Sequence, residues 1–201
     1  MAKAQKRGAD KTKMQVVEIP AMRTETILVA VVGDSPLISN QWSEKAKREM
    51  RDKQQGKAKK GRSPKNPNEC YEASLYKHPE GGYGFPAIAF KAAAVRAAKA
   101  VGMAMTDARG AFHINCDLVK IKGKPRMRED MVRNATGVAD IRYRAEFPTW
   151  STTFPVQYDT AVISAEQLIN LFNRAGFAPG VGDWRCEKNG DKGRFHVKLG
   201  K

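Results

Sequence analysis

The sequence lacks long hydrophobic runs and has few cysteines. It contains no run of about 18 apolar residues, and no apolar segment follows its basic N-terminus, so we expect neither a membrane span nor a secretory signal. Cys70, Cys116 and Cys186 form no CxxC pair, which favours a reducing, cytoplasmic setting over a disulfide framework. The histidines show no HxxxH spacing, so the sequence predicts no metal site and no cofactor.

Acidic residues are also scarce relative to basic ones. The 201 residues include 36 Lys and Arg against 21 Asp and Glu, which gives a formal net charge of +15. Such a charge favours polyanionic partners. Because 41% of the residues are hydrophobic, the chain can also form a core, and global disorder is not expected.

The positive charge is concentrated in two segments. Residues 1–13 carry five basic residues against one aspartate, and residues 44–65 carry ten against three acidic residues. We interpret residues 1–23 as a basic, flexible tail and residues 24–201 as a single domain with a basic insertion at 41–68 and a basic excursion at 122–137. Solvated arms that make no specific contact also have this composition.

The remaining pattern alternates strands and helices. Residues 24–32 are β-branched and apolar, as in a buried strand, and Ser164 with Gln167 forms a capping box before an apolar stripe. The other predicted elements are a helix after Ser43, a hairpin around 78–82 flanked by strands at 71–76 and 84–85, a helix at 87–101 stopped by Gly102, a strand at 112–121, strands at 140–147 and 150–158 paired across Pro148, and a strand at 194–199. The main order, βαββαβ, predicts an α+β fold, a ferredoxin-like (RRM-like) sandwich with a long basic insertion after the first strand. The aromatic signature of RNA-recognition sheets is missing.

A glycine-rich loop lies between the last predicted helix and the last strand. It carries Gly180, Gly182, Gly190 and Gly193. Glycines let a backbone approach a ligand closely with N–H groups pointing outward, and Trp184 offers a face on which a base can stack. The loop therefore predicts binding of a phosphate backbone with stackable bases. A plain glycine hairpin with Trp184 in the core fits the same residues.

Three local patterns resemble the RAMP superfamily, the RNA-binding proteins of CRISPR effector complexes. They are the first strand leading into residues 33–39, the Phe85-to-Arg96 segment, and the last helix followed by the glycine loop and Gly193-Arg194-Phe195. The sequence departs from the usual pattern at residues 87–89, where Gly-Ser-Ser is common, and in its longer, Trp-containing loop. A distant phage-encoded relative would show the same patterns.

The resemblance implies a strand-coating subunit that binds RNA and forms a homo-oligomer or filament, with other effector subunits as further partners. Lys91, at a helix start, and Arg96 would then contact phosphates, although a solvated helix face is the plainer interpretation. The full set of predicted nucleic-acid-binding residues is Lys45, Lys47, Arg48, Arg51, Lys57, Lys59, Lys60, Arg62, Lys91, Arg96, Arg126, Arg128, Trp184, Arg185, Lys188, Lys192 and Arg194.

Two other functions fit the same charge pattern. One is a phage-type single-stranded DNA binding and annealing protein. The other is an endoribonuclease, for which Asp34 and His196 are the catalytic candidates, because some cleaving RAMP members place an aspartate after the first strand and histidine titrates near neutrality. Asp34 also suits a turn former, and we expect a protein that is not an enzyme.

Overall fold

The computed structural model describes residues 21–57, 64–133 and 137–198. Within those ranges the strands are β1 Thr24–Gly33, β2 Leu37–Ser39, β3 Tyr76–Lys77, β4 Tyr83–Pro86, β5 Phe112–His113, β6 Leu118–Ile121, β7 Arg126–Arg133, β8 Ala139–Phe147, β9 Ser151–Asp159 and β10 Phe195–Val197. The helices are α1 Glu44–Gln54, α2 Pro67–Ala73, α3 Ala87–Ala97, α4 Met105–Ala111 and α5 Ala165–Phe177, with 3₁₀ turns at Ala98–Val101 and Cys186–Lys188.

Three antiparallel sheets organise these strands. The main sheet has the order β10-β1-β9-β5, and β1 pairs with β9 from Thr24↔Asp159 to Val32↔Ser151. The smaller sheets are β2-β8-β7 and β3-β4-β6. The predicted α+β class is confirmed.

Local signals in the sequence account for three of the helix ends. Ser43 caps α1 by accepting a hydrogen bond from the Ala46 N–H. Ser164 and Gln167 form the predicted capping box of α5. The helical segment from α3 through its 3₁₀ turn ends at Gly102, whose φ of +78° suits a residue without a Cβ.

The core lies between the main sheet and the helices α3 and α5. Phe90 of α3 is fully buried and contacts the rings of Phe154, Phe195 and Trp150 at centroid distances of 5.0, 5.5 and 6.3 Å. Phe172 of α5 packs against the same Phe154 ring at 5.7 Å. Both helices therefore cover the same face of the sheet.

The predicted pairing of strands 140–147 and 150–158 is wrong. β8 pairs with β7 and β2, while β9 pairs with β1 and β5. Side chains of β9 alternate, and Phe154, Val156 and Tyr158 face the main core, so β9 is drawn to the main sheet. The predicted excursion at 122–137 accordingly contains a regular strand, β7.

The predicted strand at 112–121 is divided between two sheets. Its first two residues form β5, at the edge of the main sheet, and its last four form β6, which pairs with β4 through Phe85↔Val119.

The predicted assignment of β8 side chains to a buried face and a solvent face is also partly wrong. Arg144 and Glu146, expected on a solvent face, are 5% and 2% exposed, and Ile141, expected inside, is 44% exposed.

Part of the charged sequence falls outside the described residues. Lys59, Lys60 and Arg62 of the basic insertion lie there, as do residues 1–20 of the predicted tail. The domain boundaries at 1–23 and 24–201 stay predictions.

Candidate nucleic-acid interface

The glycine-rich loop is explained first by close packing of its own backbone. A Cβ on Gly193 would lie 1.6 Å from the Val181 carbonyl oxygen, and one on Gly190 would lie 1.8 Å from that of Trp184. Gly193 also has a φ of +66°. No other residue fits these two positions without moving the backbone.

The loop's backbone N–H groups are largely used within the protein. The N–H of Val181 donates to the Gly193 carbonyl at 2.9 Å, and that of Gly193 donates to Pro36 at 2.8 Å. The N–H groups of Gly180, Asp183, Gly190 and Lys192 also donate to protein carbonyls. The prediction of bare, outward N–H groups is therefore wrong for these residues, and ligand binding at the loop would depend on side chains.

The loop is joined to the turn after β1. The Asp34 N–H donates to the Arg194 carbonyl at 2.8 Å, and the Arg194 N–H donates to the Ser35 hydroxyl at 3.0 Å. The Nδ1 of His196 lies 2.6 Å from Oδ1 of Asp34. Two sequence patterns 160 residues apart, Gly-Asp-Ser-Pro and Gly-Arg-Phe, thus form one unit, and the two catalytic candidates are in contact.

A basic cleft lies between α3 and α4. Lys91, Arg96 and Arg109 line an open cavity of about 260 Å³. The remainder of its lining is apolar and comes from Ile88, Ala92, Val95 and Met105. Ile88 is 68% exposed, so the cleft combines cations with an uncovered apolar surface. Such a combination suits a phosphate and the base next to it.

Lys91 is the most enclosed cation of the cleft by its contacts. Its Nζ lies 3.1 Å from Nδ1 of His113 and 5.8 Å from the centroid of the Phe112 ring. Partial burial lowers the pKa of Lys91 below its ordinary value. A phosphate oxygen would offset this desolvation, because an opposite charge stabilises the ammonium form.

Glu187 connects the cleft to the glycine loop. Its carboxylate contacts Nε of Arg96 at 2.7 Å and Nε of Arg185 at 2.9 Å. Two predicted phosphate ligands from separate elements therefore converge on one carboxylate.

Trp184, three residues before Glu187, is 42% exposed, so the alternative of a core aromatic is wrong for this residue.

Arg126 and Arg128 have a structural role in β7. Arg126 donates to Glu146 at 2.7 Å, and Arg128 donates to Asp130 and Glu146 at 2.9 Å each. Burial by itself raises the pKa of Glu146, but the hydrogen bonds from both arginines outweigh it and hold the pKa below its ordinary value. The network also includes Arg144, whose Nε lies 3.2 Å from Asp183 of the glycine loop.

Most of the described cations of the basic insertion lie on α1. No residue of this helix is buried, and Lys45, Arg48 and Arg51 are exposed, as is Lys57 after the helix. Lys47 pairs with Glu44 at 2.6 Å. The structure does not bring α1 into the cleft lining.

Two further predicted ligands lie in the glycine-rich loop, where Lys188 is exposed and Lys192 pairs with Asp191 at 3.1 Å.

Sequence reasoning missed Arg109. It lies on α4, a seven-residue helix for which we had made no prediction. In the sequence, its positive charge was the one feature that marked Arg109 as a candidate ligand of phosphate. Its cleft position depends on the packing of α4 beside α3, which no local pattern reveals.

The described residues include neither a metal cluster nor a helix that could span a membrane. Residues 21–57, 64–133 and 137–198 contain no group of three or more His, Cys, Asp or Glu side chains arranged to hold a metal ion. The helices in those ranges include none with the length and apolarity needed to cross a membrane.

Comparisons with known proteins add little. No family model and no curated protein sequence matches the chain. Among solved structures, the chain is similar to Cmr6 from Pyrococcus furiosus, at 10% sequence identity and a TM-score of 0.46, over 89% of this chain and 100% of that one. A likeness of this degree establishes neither a family nor a function.

Proposed function

We propose that the protein binds single-stranded nucleic acid, RNA in preference to DNA, as a non-catalytic, strand-coating protein. The observation that carries this proposal is the cleft between α3 and α4, where Lys91, Arg96 and Arg109 border an apolar surface. The cations would hold phosphates, while Ile88 and Met105 would contact a base. The exposed cations of α1 would add sequence-independent attraction.

The preference for RNA and the coating of a strand by successive copies rest on the resemblance of three sequence patterns to RAMP proteins. The topology is compatible with that resemblance. The strand order β10-β1-β9-β5, with α3 and α5 on one face, supports a ferredoxin-like βαββαβ arrangement in which the small sheets are additions.

A binding titration tests the nucleic-acid interface. Fluorescently labelled RNA and DNA oligomers of about 20 nucleotides and matched sequence are titrated between about 50 and 200 mM salt. Tighter binding of RNA supports the proposal. Equal or tighter binding of DNA, together with strand annealing, would instead support the single-stranded DNA alternative. If the folded protein binds neither oligomer at low salt, both the RNA-binding proposal and the single-stranded DNA alternative are refuted.

A double substitution locates the interface. Replacing Lys91 and Arg109 by alanine removes two charge-assisted contacts and should raise Kd about tenfold or more. It should also flatten the log–log salt dependence by about 0.7 per phosphate lost. Lys77→Ala is the control, because Lys77 is an exposed cation that does not line the cleft. An effect of the double variant on Kd no larger than that of Lys77→Ala would place the binding elsewhere.

Strand coating has its own test. Nuclease digestion of the complex with a long RNA should leave protected fragments whose lengths are multiples of one unit. Protected fragments of a single length would indicate a protein that binds one site and does not form a filament.

The contact between Asp34 and His196 favours a second candidate function, endoribonuclease activity. The Asp34 carboxylate accepts a hydrogen bond from Nδ1–H of His196, which leaves Nε2 as the basic nitrogen. The His196 and Asp34 side chains are 53% and 41% exposed, so substrate can reach them. Shortening of labelled RNA that is lost in His196→Ala and in Asp34→Ala would establish this activity and refute a non-catalytic role.

A further inference from the structure

We propose that Glu187 occupies a phosphate site in the free protein and is displaced when nucleic acid binds. This inference rests on the proposed function and specifies how the cleft and the glycine loop act together. Arg96 on α3 and Arg185 in the loop are 89 residues apart in the sequence, yet both contact the Glu187 carboxylate, at 2.7 and 2.9 Å.

The geometry of this triad is that of an anion site. An arginine guanidinium presents planar N–H donors that match carboxylate and phosphate oxygens equally well. Arg96 also lines the basic cleft, so the position held by the Glu187 carboxylate lies where a phosphodiester next to the cleft would be bound. A phosphodiester and a carboxylate both carry one negative charge. Exchange of one for the other therefore keeps the charge of the two arginines balanced.

Displacement requires little rearrangement. The Glu187 side chain is 31% exposed and belongs to a short 3₁₀ turn, so rotation about its side-chain bonds moves the carboxylate into water without moving the loop backbone. Arg185 keeps a second contact that holds it in place, because its Nη1 donates to the Gly182 carbonyl at 3.1 Å. Partly exposed ion pairs of this kind are weak, so the free protein competes only modestly with the ligand.

The competition predicts a gain of function from a single substitution. Glu187→Gln removes the competing charge and keeps the size of the side chain. It should lower Kd for a labelled oligouridine of about 20 nucleotides by roughly three- to tenfold, because the arginines are freed and a nearby negative charge is lost. The log–log salt dependence should change little, because nucleic acid displaces Glu187 in the wild type and the same phosphate contacts form in both proteins.

The matched control is Glu72→Gln. Glu72 is also an exposed glutamate in an ion pair, with Lys77 at 3.1 Å, and its neutralisation changes the net charge by the same amount. It should alter Kd about twofold or less. A third protein, Glu187→Gln combined with Arg96→Ala, should lose most of the gain, because the site then lacks one of its two arginines. Thermal unfolding verifies that each variant is folded.

Three results are decisive. Tighter binding by Glu187→Gln than by Glu72→Gln, lost when Arg96 is removed, supports the inference. If wild-type protein binds RNA but Glu187→Gln binds no better than the control, or binds more weakly, Glu187 positions the arginines and the inference is wrong while the proposed function stands. If no variant and no wild-type protein binds the oligomer at low salt, the proposed function fails, and this inference fails with it.

Discussion

Replacement of Gly193 by alanine tests whether the glycine loop is a packed structural element. Both Gly193 and Gly81 have positive φ, +66° and +85°, but only Gly193 is crowded. A Cβ on Gly193 would lie 1.6 Å from the Val181 carbonyl oxygen, whereas a Cβ on Gly81 would meet nothing within 4 Å. Gly81→Ala therefore measures the cost of the backbone angle alone.

The magnitudes follow from the two environments. Positive φ costs alanine about 1–2 kcal/mol, offset by up to about 1 kcal/mol because the unfolded chain loses freedom. Gly81→Ala should thus lower the free energy of unfolding by about 1 kcal/mol. Gly193→Ala must in addition separate Gly193 from Val181 and weaken the hydrogen bonds to Val181 and Pro36, each contributing about 1 kcal/mol. Its total effect should be about 3–4 kcal/mol.

Urea unfolding monitored by circular dichroism gives the change in the free energy of unfolding for each variant, and thermal unfolding gives the change in Tm. At about 2–4 °C per kcal/mol for a chain of this size, Tm should fall by roughly 10 °C for Gly193→Ala and by about 3 °C for Gly81→Ala. Equal destabilisation of the two variants would refute the argument, because the loop would then be loose enough to accept a side chain.

Two further predictions concern the body of the protein. The folded pKa of Glu146 lies below its ordinary value of 4.5, so its ion pairs stabilise the fold above about pH 4.5 and this contribution is lost as pH falls through the folded pKa. Glu146→Gln should therefore flatten the acid side of a stability–pH curve, and an unchanged slope would contradict the network described here. Phe90→Ala should cost about 3–5 kcal/mol in urea unfolding, since the ring is fully buried among four other rings. A cost below about 1 kcal/mol would mean that Phe90 is not central to the core.

Features determined by neighbouring residues could be predicted from the sequence. Ser43, Ser164 and Gly102 mark helix ends through contacts within one turn of the helix, and the hairpin around 78–82 needs only its own glycines. The helix ends and the hairpin turn formed as expected because their energetics are local. The hairpin strand predicted at 71–76 is wrong, since α2 extends to Ala73 and β3 begins only at Tyr76. The core stripe of α5 is likewise set by the helical period.

Features that depend on distant partners could not be predicted. The alternation in β8 correctly indicated a strand, and Ala145 and Phe147 are buried as expected. Arg144 and Glu146, expected on a solvent face, are buried as well, since arginines of β7 and Asp183 of the loop supply partners that make burial of charge acceptable. The cleft forms only because α4 packs beside α3, and no local pattern predicts this packing, so Arg109 of α4 was missed. The binding residues proposed from charge alone stay predictions.

The junction between the Gly33–Pro36 turn and Arg194 has a consequence for how the chain folds. β10 follows every other described strand in sequence, yet it pairs with β1, the first of them. During synthesis, β1 therefore has one ladder edge open until the last strand emerges, and Phe90 lacks the Phe195 ring that completes its surroundings. Pairing of strands so far apart in the sequence slows folding. A nascent chain ending before residue 190 therefore has an unpaired sheet edge and is prone to aggregate.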